Sequence, residues 1–258
     1  MGVNKPVVEI TVLPEVKHGF RIRGEKPVVV VGLPDTGLVG TIAVTYLTEK
    51  SGMEEIGFID SPQLPPVLPF HKNIPRFPIR IMNKGRFVAI FSEIAIPVDL
   101  MTPLAKTLIS FMKEIDADTS VLLGGIAVPN RIDLEKPSVY GLGITEDDRK
   151  FLEAKGVKLL DEGFLAGAYA QIVKECIKET QRGIILLGES YANYPDPGAA
   201  AAVLETFSKI FDFKIDVKPL IDQAEELRLK LRELMKRTIE TLRSAQKRYE
   251  RALPPLYR

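Results

Sequence analysis

Runs of β-branched apolar residues alternate with amphipathic stretches along most of this chain. Val28–Val31 and Ile184–Leu187 are apolar at every position, the pattern of strands covered on both faces of a sheet. Val7–Val12, Ile56–Ile59, Ser120–Leu123 and Val139–Ile144 read as further strands. Phe77–Met82 and Arg86–Phe91 read as a hairpin around Asn83-Lys84-Gly85. Between them Leu38–Lys50, Pro103–Ile115, Glu146–Ala154, Leu165–Glu179 and Asp196–Phe211 carry helical spacing, the last with Pro and Gly in its first turn. Strands alternating with helices predict an α/β fold: a three-layer sandwich with a mixed, mostly parallel sheet between helices. No internal repeat is visible.

The pattern changes after Phe213. From Pro219 to Arg251 neither Gly nor Pro interrupts the chain after the opening proline, and one charged helix is expected. At about 1.5 Å per residue it would reach about 45 Å. Ala224, Leu227, Leu231, Leu234, Thr238, Leu242, Ala245 and Tyr249 fall on one stripe. Such a stripe needs cover, either from its own domain or from copies of itself, which makes Leu227, Leu231 and Leu234 candidates for an oligomer interface. The expected divisions are a core at 1–213, a helical extension at 214–251 and a flexible tail at 252–258. In the tail, Pro254-Pro255 form a stiff spacer before Leu256-Tyr257-Arg258, a hydrophobic-Tyr-X terminus. A tripeptide of this form can dock as a plug: an apolar residue in a small pocket, a phenol at its rim, and the terminal carboxylate on a lysine.

Composition narrows the function classes. A net charge of +1 over 258 residues gives no drive toward nucleic acid or membrane, and the absence of Trp leaves little for stacking bases. Cys176 is the single cysteine, so no disulfide framework or thiol metal cluster is expected, and a cytoplasmic setting follows. The amino terminus has no leader pattern, and no apolar run approaches bilayer length.

Two loops stand where open α/β sheets bind ligands. Gly32-Leu33-Pro34-Asp35-Thr36-Gly37-Leu38-Val39-Gly40 follows an apolar strand, but Leu38-Val39 stand where a phosphate-binding loop needs Lys and Ser or Thr. Gly188–Gly198 follows another, with Glu189 and Asp196 as a possible acid/base or metal pair. The structural alternatives are Asp35 or Thr36 capping the first helix, and Asp196 capping the second ahead of Pro197. His18 and His71 lie in unrelated segments, and no nucleophile elbow or metal-binding His pair is present. A proline-rich apolar stretch, Pro62–Pro78, suits either a loop folded on its own sheet or a surface covered by another chain.

Gly32–Gly40, Val121-Leu122-Leu123-Gly124-Gly125 and Gly188–Gly198 with the following Ala199–Leu204 together resemble the proteasome assembly chaperone 2 family, in particular its archaeal members, over Pro27 to Phe211. The resemblance implies a sandwich reminiscent of nucleoside phosphorylases, without implying their catalysis. It also implies self-association and ATP-independent handling of proteasome core subunits with no cofactor; the long apolar stripe, and the gain from presenting several tails, make a tetramer the first expectation and a dimer the second. The family's hydrophobic-Tyr-X signature maps onto Leu256, Tyr257 and Arg258, directed at pockets between the core's α-subunits. The alternative is a phosphorylase- or nucleotide-hydrolase-like enzyme using the two glycine loops.

Overall fold

A computed structural model describes residues 7–13 and 25–252. One sheet holds nine strands: β1 (Glu9–Val12), β2 (Val28–Gly32), β3 (Glu54–Asp60), β6 (Ile79–Lys84), β7 (Phe87–Ser92), β8 (Thr119–Ala127), β9 (Val139–Gly143), β10 (Lys158–Leu159) and β11 (Gly183–Ser190). Their spatial order is β1-β3-β6-β7-β2-β8-β11-β9-β10. The centre, β7-β2-β8-β11, is parallel throughout, and β10 joins β9 in parallel. Antiparallel pairs flank it: β1-β3-β6-β7 on one side and β9 on β11 on the other. Inside the proline-rich stretch, β4 (Phe70–His71) and β5 (Ile74–Pro75) form a small separate hairpin.

The apolar runs are continuous because both faces are covered. In β2, Val28 and Val30 face one core while Val29 and Val31 face the other, and all four are fully buried. The first face is covered by α1 (Val39–Ser51), α3 (Glu146–Ala154) and α5 (Pro197–Phe211). The second is covered by α2 (Val98–Glu114) and α4 (Gly167–Lys178). Thr145 and Asp148 form a reciprocal capping box on α3, and the buried Asp148 also accepts the Gly183 amide of β11 at 3.1 Å. Cys176 is buried in α4, where loss of solvent pushes its thiol up to about 11.

The carboxy-terminal part corrects the expectation of one uninterrupted helix. Three pieces follow one another: α6 (Lys218–Asp222), α7 (Ala224–Lys230) and α8 (Arg232–Ala252). Bends fall at Gln223 (φ −97°, ψ 14°) and Leu231 (φ −94°, ψ 2°). The bend residues keep amide-to-carbonyl bonds to the following turn, Leu227 donating to Gln223 at 3.1 Å and Met235 to Leu231 at 2.9 Å. Bending keeps the stripe on its own domain. Leu227, Leu231 and Leu234 are half-buried against the α1–α5 core, with Met235 and Thr238 buried. Further on, α8 touches the Thr36–Leu38 turn and then α2 and α4 of the opposite face. The three leucines expected at an oligomer interface are thus already engaged within one molecule.

Candidate functional site

The two glycine loops meet at the carboxyl ends of the parallel strands. β2 runs into a tight turn, Thr36–Leu38, in which Gly37 (φ 67°) and Leu38 (φ 51°) are both left-handed. Leu38 holds this conformation, which costs an L-residue about 1–2 kcal/mol, because its side chain is fully buried in the α1–α5 core. The loop after β11 bonds to this turn directly, the Asp196 amide donating to the Gly37 carbonyl at 2.8 Å.

Asp35 sits at the centre. One carboxyl oxygen accepts the Gly40 amide at 3.1 Å and the other the Gly125 amide at 2.6 Å, joining the first turn of α1 to the end of β8. Burial pushes its carboxyl well above the usual range, against the pull of those two amides. Tyr169 of α4 lies beside it, its hydroxyl accepting the Leu33 amide at 2.9 Å and donating to the Leu123 carbonyl at 2.5 Å. Burial, and then the Asp35 charge, raise that phenol well above its ordinary value. The glycines allow this closeness. A Cβ on Gly40 would lie 2.2 Å from the Leu123 carbonyl oxygen, and one on Gly125 would lie 2.3 Å from that of Thr36.

Glu189 and Asp196 are not a pair. Glu189 accepts the Ser138 amide at 2.8 Å and the Tyr140 hydroxyl at 3.2 Å, on the β9 side. Asp196 is fully buried and caps α5 through the Ala199 amide at 2.9 Å, with Pro197 in the first turn as its position predicts. Its charge is met by Arg131, whose Nε and Nη2 reach the two carboxyl oxygens at 2.7 and 3.0 Å. Arg131 also stacks over Tyr191, 5.0 Å from the ring centre. Sequence reasoning missed both Arg131 and Tyr169. Arg131 lies in an irregular connection 65 positions from its partner, and Tyr169 occupies an ordinary core position of an amphipathic helix.

A cleft of about 450 Å³ opens beside Asp35, walled by residues such as Ile126, Leu142, Leu165 and Leu187, with Asp161 and Glu162 at its edge. No Lys, Arg or His stands among its described lining residues. The described residues hold no group of three or more His, Cys, Asp or Glu placed to bind a metal, and no described helix is long and apolar enough to cross a membrane. His71 is an exposed residue of β4 paired with Glu93 at 2.9 Å and does not line the cleft. His18, Pro254, Pro255, Leu256, Tyr257 and Arg258 lie outside the described residues.

This architecture has known counterparts. The structure is similar to that of PbaA of Pyrococcus furiosus, an archaeal homolog of proteasome-assembly chaperone, with a TM-score of 0.82 and 28% identity over 90% of this chain and 98% of that one. PbaB of Pyrococcus furiosus, an archaeal proteasome activator, shares the fold with a TM-score of 0.71 and 22% identity over 88% of this chain and 98% of its own. In sequence, the protein MJ0106 of Methanocaldococcus jannaschii is 27% identical over 229 residues, covering 89% of this chain and 94% of that one. The model of the PAC2 family matches residues 29–235, from the central strand through both glycine loops and onto α8, and the chain belongs to that family.

Proposed function

We propose that this protein is an ATP-independent partner of the proteasome core, acting as an assembly chaperone or activator, that docks through its carboxy-terminal tail. The observation that carries the reading is the likeness to PbaA across 90% of the chain, in a chain that ends in Leu256-Tyr257-Arg258. In docking, Leu256 fills the apolar wall of a pocket between α-subunits, Tyr257 bonds at its rim, and the terminal carboxylate pairs with a pocket lysine. The Arg258 side chain contributes little. Pro254 and Pro255 hold the tip away from the body. A homo-oligomer, a tetramer in the first instance, presents several tails at once and gains avidity over a single one. The setting is the cytosol, and neither nucleic acid, membrane nor cofactor takes part.

The enzyme alternative has less support. The cleft beside the glycine loops is lined by carboxyl groups and apolar walls, Asp196 is neutralised by Arg131, and Glu189 is bound to the β9 side. None of these offers a cation to a phosphate.

Co-sedimentation with purified proteasome core tests the docking. Tyr257→Ala, or one residue appended after Arg258, is expected to abolish binding with the circular dichroism spectrum unchanged. Loss of such an anchor costs about 2–4 kcal/mol per tail, roughly 30- to 1000-fold in affinity. Unchanged co-sedimentation of the extended chain overturns the reading.

A further inference from the structure

We propose that the face carrying the proline-rich stretch is a twofold self-association surface, in which the β4–β5 hairpin of one copy seats in a groove of a second copy and receives that copy's hairpin in its own groove. The proposal rests on the homo-oligomeric part of the function given above and is independent of what the tail binds.

The groove lies between the proline-rich stretch, the connection from β7 to α2, and α8. Its space is about 540 Å³, within the range of specific binding sites. Pro65, Ile94, Pro97, Val98 and Leu234 give it an apolar floor and wall. Glu233, Arg237 and Glu240 of α8 and Glu93 of the β7–α2 connection supply its charged lining. Glu93 is held by Arg80 at 2.7 Å and Glu233 by Arg237 at 3.0 Å. Glu240 is exposed, and its carboxylate has no partner among the described residues.

The hairpin projects directly beside this groove, because His71 of β4 meets the groove-lining Glu93 at 2.9 Å. The hairpin and the residues leading into it carry exposed apolar side chains: Phe70 is 75% exposed, Leu68 57% and Ile74 49%. Its tip, Lys72-Asn73, is left-handed at both residues (φ 50° and 65°), and the exposed Lys72 has no partner among the described residues. Several exposed apolar side chains grouped at one hairpin are more than the scattered singles of an ordinary surface and mark a contact site.

Knob and hole thus lie side by side on one face, with a cation on the knob and an anion lining the hole that have no partner among the described residues. A twofold axis between them brings each knob to the other copy's hole and forms two Lys72–Glu240 pairs, the self-complementarity of an isologous contact. Charge complementarity of this kind selects a second copy over an arbitrary apolar partner. The contact uses none of the surface by which Leu227 and Leu231 pack on their own core. One such contact yields a dimer, and a tetramer needs a second.

Light scattering on chromatographed full-length protein at micromolar concentration tests this. The wild type is expected as a dimer or a higher even oligomer. Phe70→Glu should halve its mass. Lys72→Glu and Glu240→Lys should each weaken association at least tenfold, and the double variant carrying both should regain it. All three positions are exposed, so thermal unfolding of the subunit should change little, and the two charge reversals cover a Phe70→Glu chain that fails to fold. A monomeric wild type, an unchanged mass for Phe70→Glu, or a double variant no better than the singles overturns the proposal. Loss of proteasome-core binding by Phe70→Glu at unchanged mass would assign the face to that partner and overturn it equally. Failure of the tail reading would appear separately, as an even oligomer that does not co-sediment with the core.

Discussion

Replacing Arg131 by Met isolates what holds the two glycine loops together. The change removes a guanidinium whose side chain is only 8% exposed and keeps most of its apolar stem. Asp196, with a side-chain exposure of 0%, is then left charged in the interior with only the Ala199 and Tyr191 amides as donors. Breaking a buried pair from one side typically costs about 3–5 kcal/mol, because the surviving charge stays desolvated. For a domain of this size each kcal/mol lowers the melting temperature by about 2–4 °C, so a drop of roughly 6–20 °C is expected. Changing Asp196 to Asn in the same chain removes the stranded charge but keeps an oxygen for the Ala199 amide, so α5 stays capped. The double variant should therefore melt higher than Arg131→Met alone, a coupling visible in calorimetry or circular dichroism. A loss below about 1 kcal/mol for Arg131→Met, or strictly additive effects in the pair, would refute the account of this bridge as the lock on the loops.

Two further outcomes follow from the same region and one control turn. Asp35 has a folded value raised by burial, so the unfolded chain ionises first, and its contribution falls as pH rises from the unfolded value near 3.9 up to the folded one. Asp35→Asn leaves one of the Gly40 and Gly125 amides without an acceptor and costs about 1–3 kcal/mol at pH 4, but the gap to wild type should narrow toward pH 8; melting curves across that range showing a constant or widening gap would contradict it. Gly40→Ala, with its Cβ 2.2 Å from a backbone oxygen, should leave little folded protein in a denaturant titration. Gly85→Ala, in the open β6–β7 turn at φ 56°, should cost only about 1 kcal/mol, and equal costs would show that close packing is not what Gly40 provides.

The layers of this fold were legible wherever one physical cause dominated. Val28–Val31, Ser120–Leu123 and Ile184–Leu187 announce themselves because each of these positions is buried, and Asp196-Pro197 marks the start of α5 because cap and first turn need those residues. Boundaries slipped where tertiary contacts outweighed local signals. Pro103 suggested a helix start, yet α2 begins at Val98, since burial of Leu100, Met101 and Leu104 outweighs one missing amide bond. The bends at Gln223 and Leu231 carry no Gly or Pro, and the curvature of the core that α7 and α8 follow is invisible in the chain itself. The hairpin Phe70–Pro75 hid within a run of prolines. At the site, the loops were found but their partners were not: Arg131 and Tyr169 act through contacts 65 and 136 positions away, which no spacing rule encodes.

An open α/β sheet offers a crevice at its strand ends, and at that edge the chain's own Asp35 carboxyl accepts the nearby backbone amides. The turn from β2 into α1 points amides at a common point, as nucleotide-binding turns do at a helix terminus. In this protein the Gly40 amide of α1 and the Gly125 amide of β8 both end on Asp35, at 3.1 and 2.6 Å. Whether that carboxyl is protonated or charged, its oxygens take the donors an incoming phosphate would need. If charged, it also repels that phosphate, as do Asp161 and Glu162 at the cleft edge. The close glycines, which in a nucleotide site admit the ligand, here admit the Leu123 and Thr36 carbonyls and the Tyr169 ring. A shared fold carries no chemistry by itself. With the Gly40 and Gly125 amides satisfied by Asp35 and the strand-end turn in contact with α8, this edge of the sheet is closed by the chain's own groups.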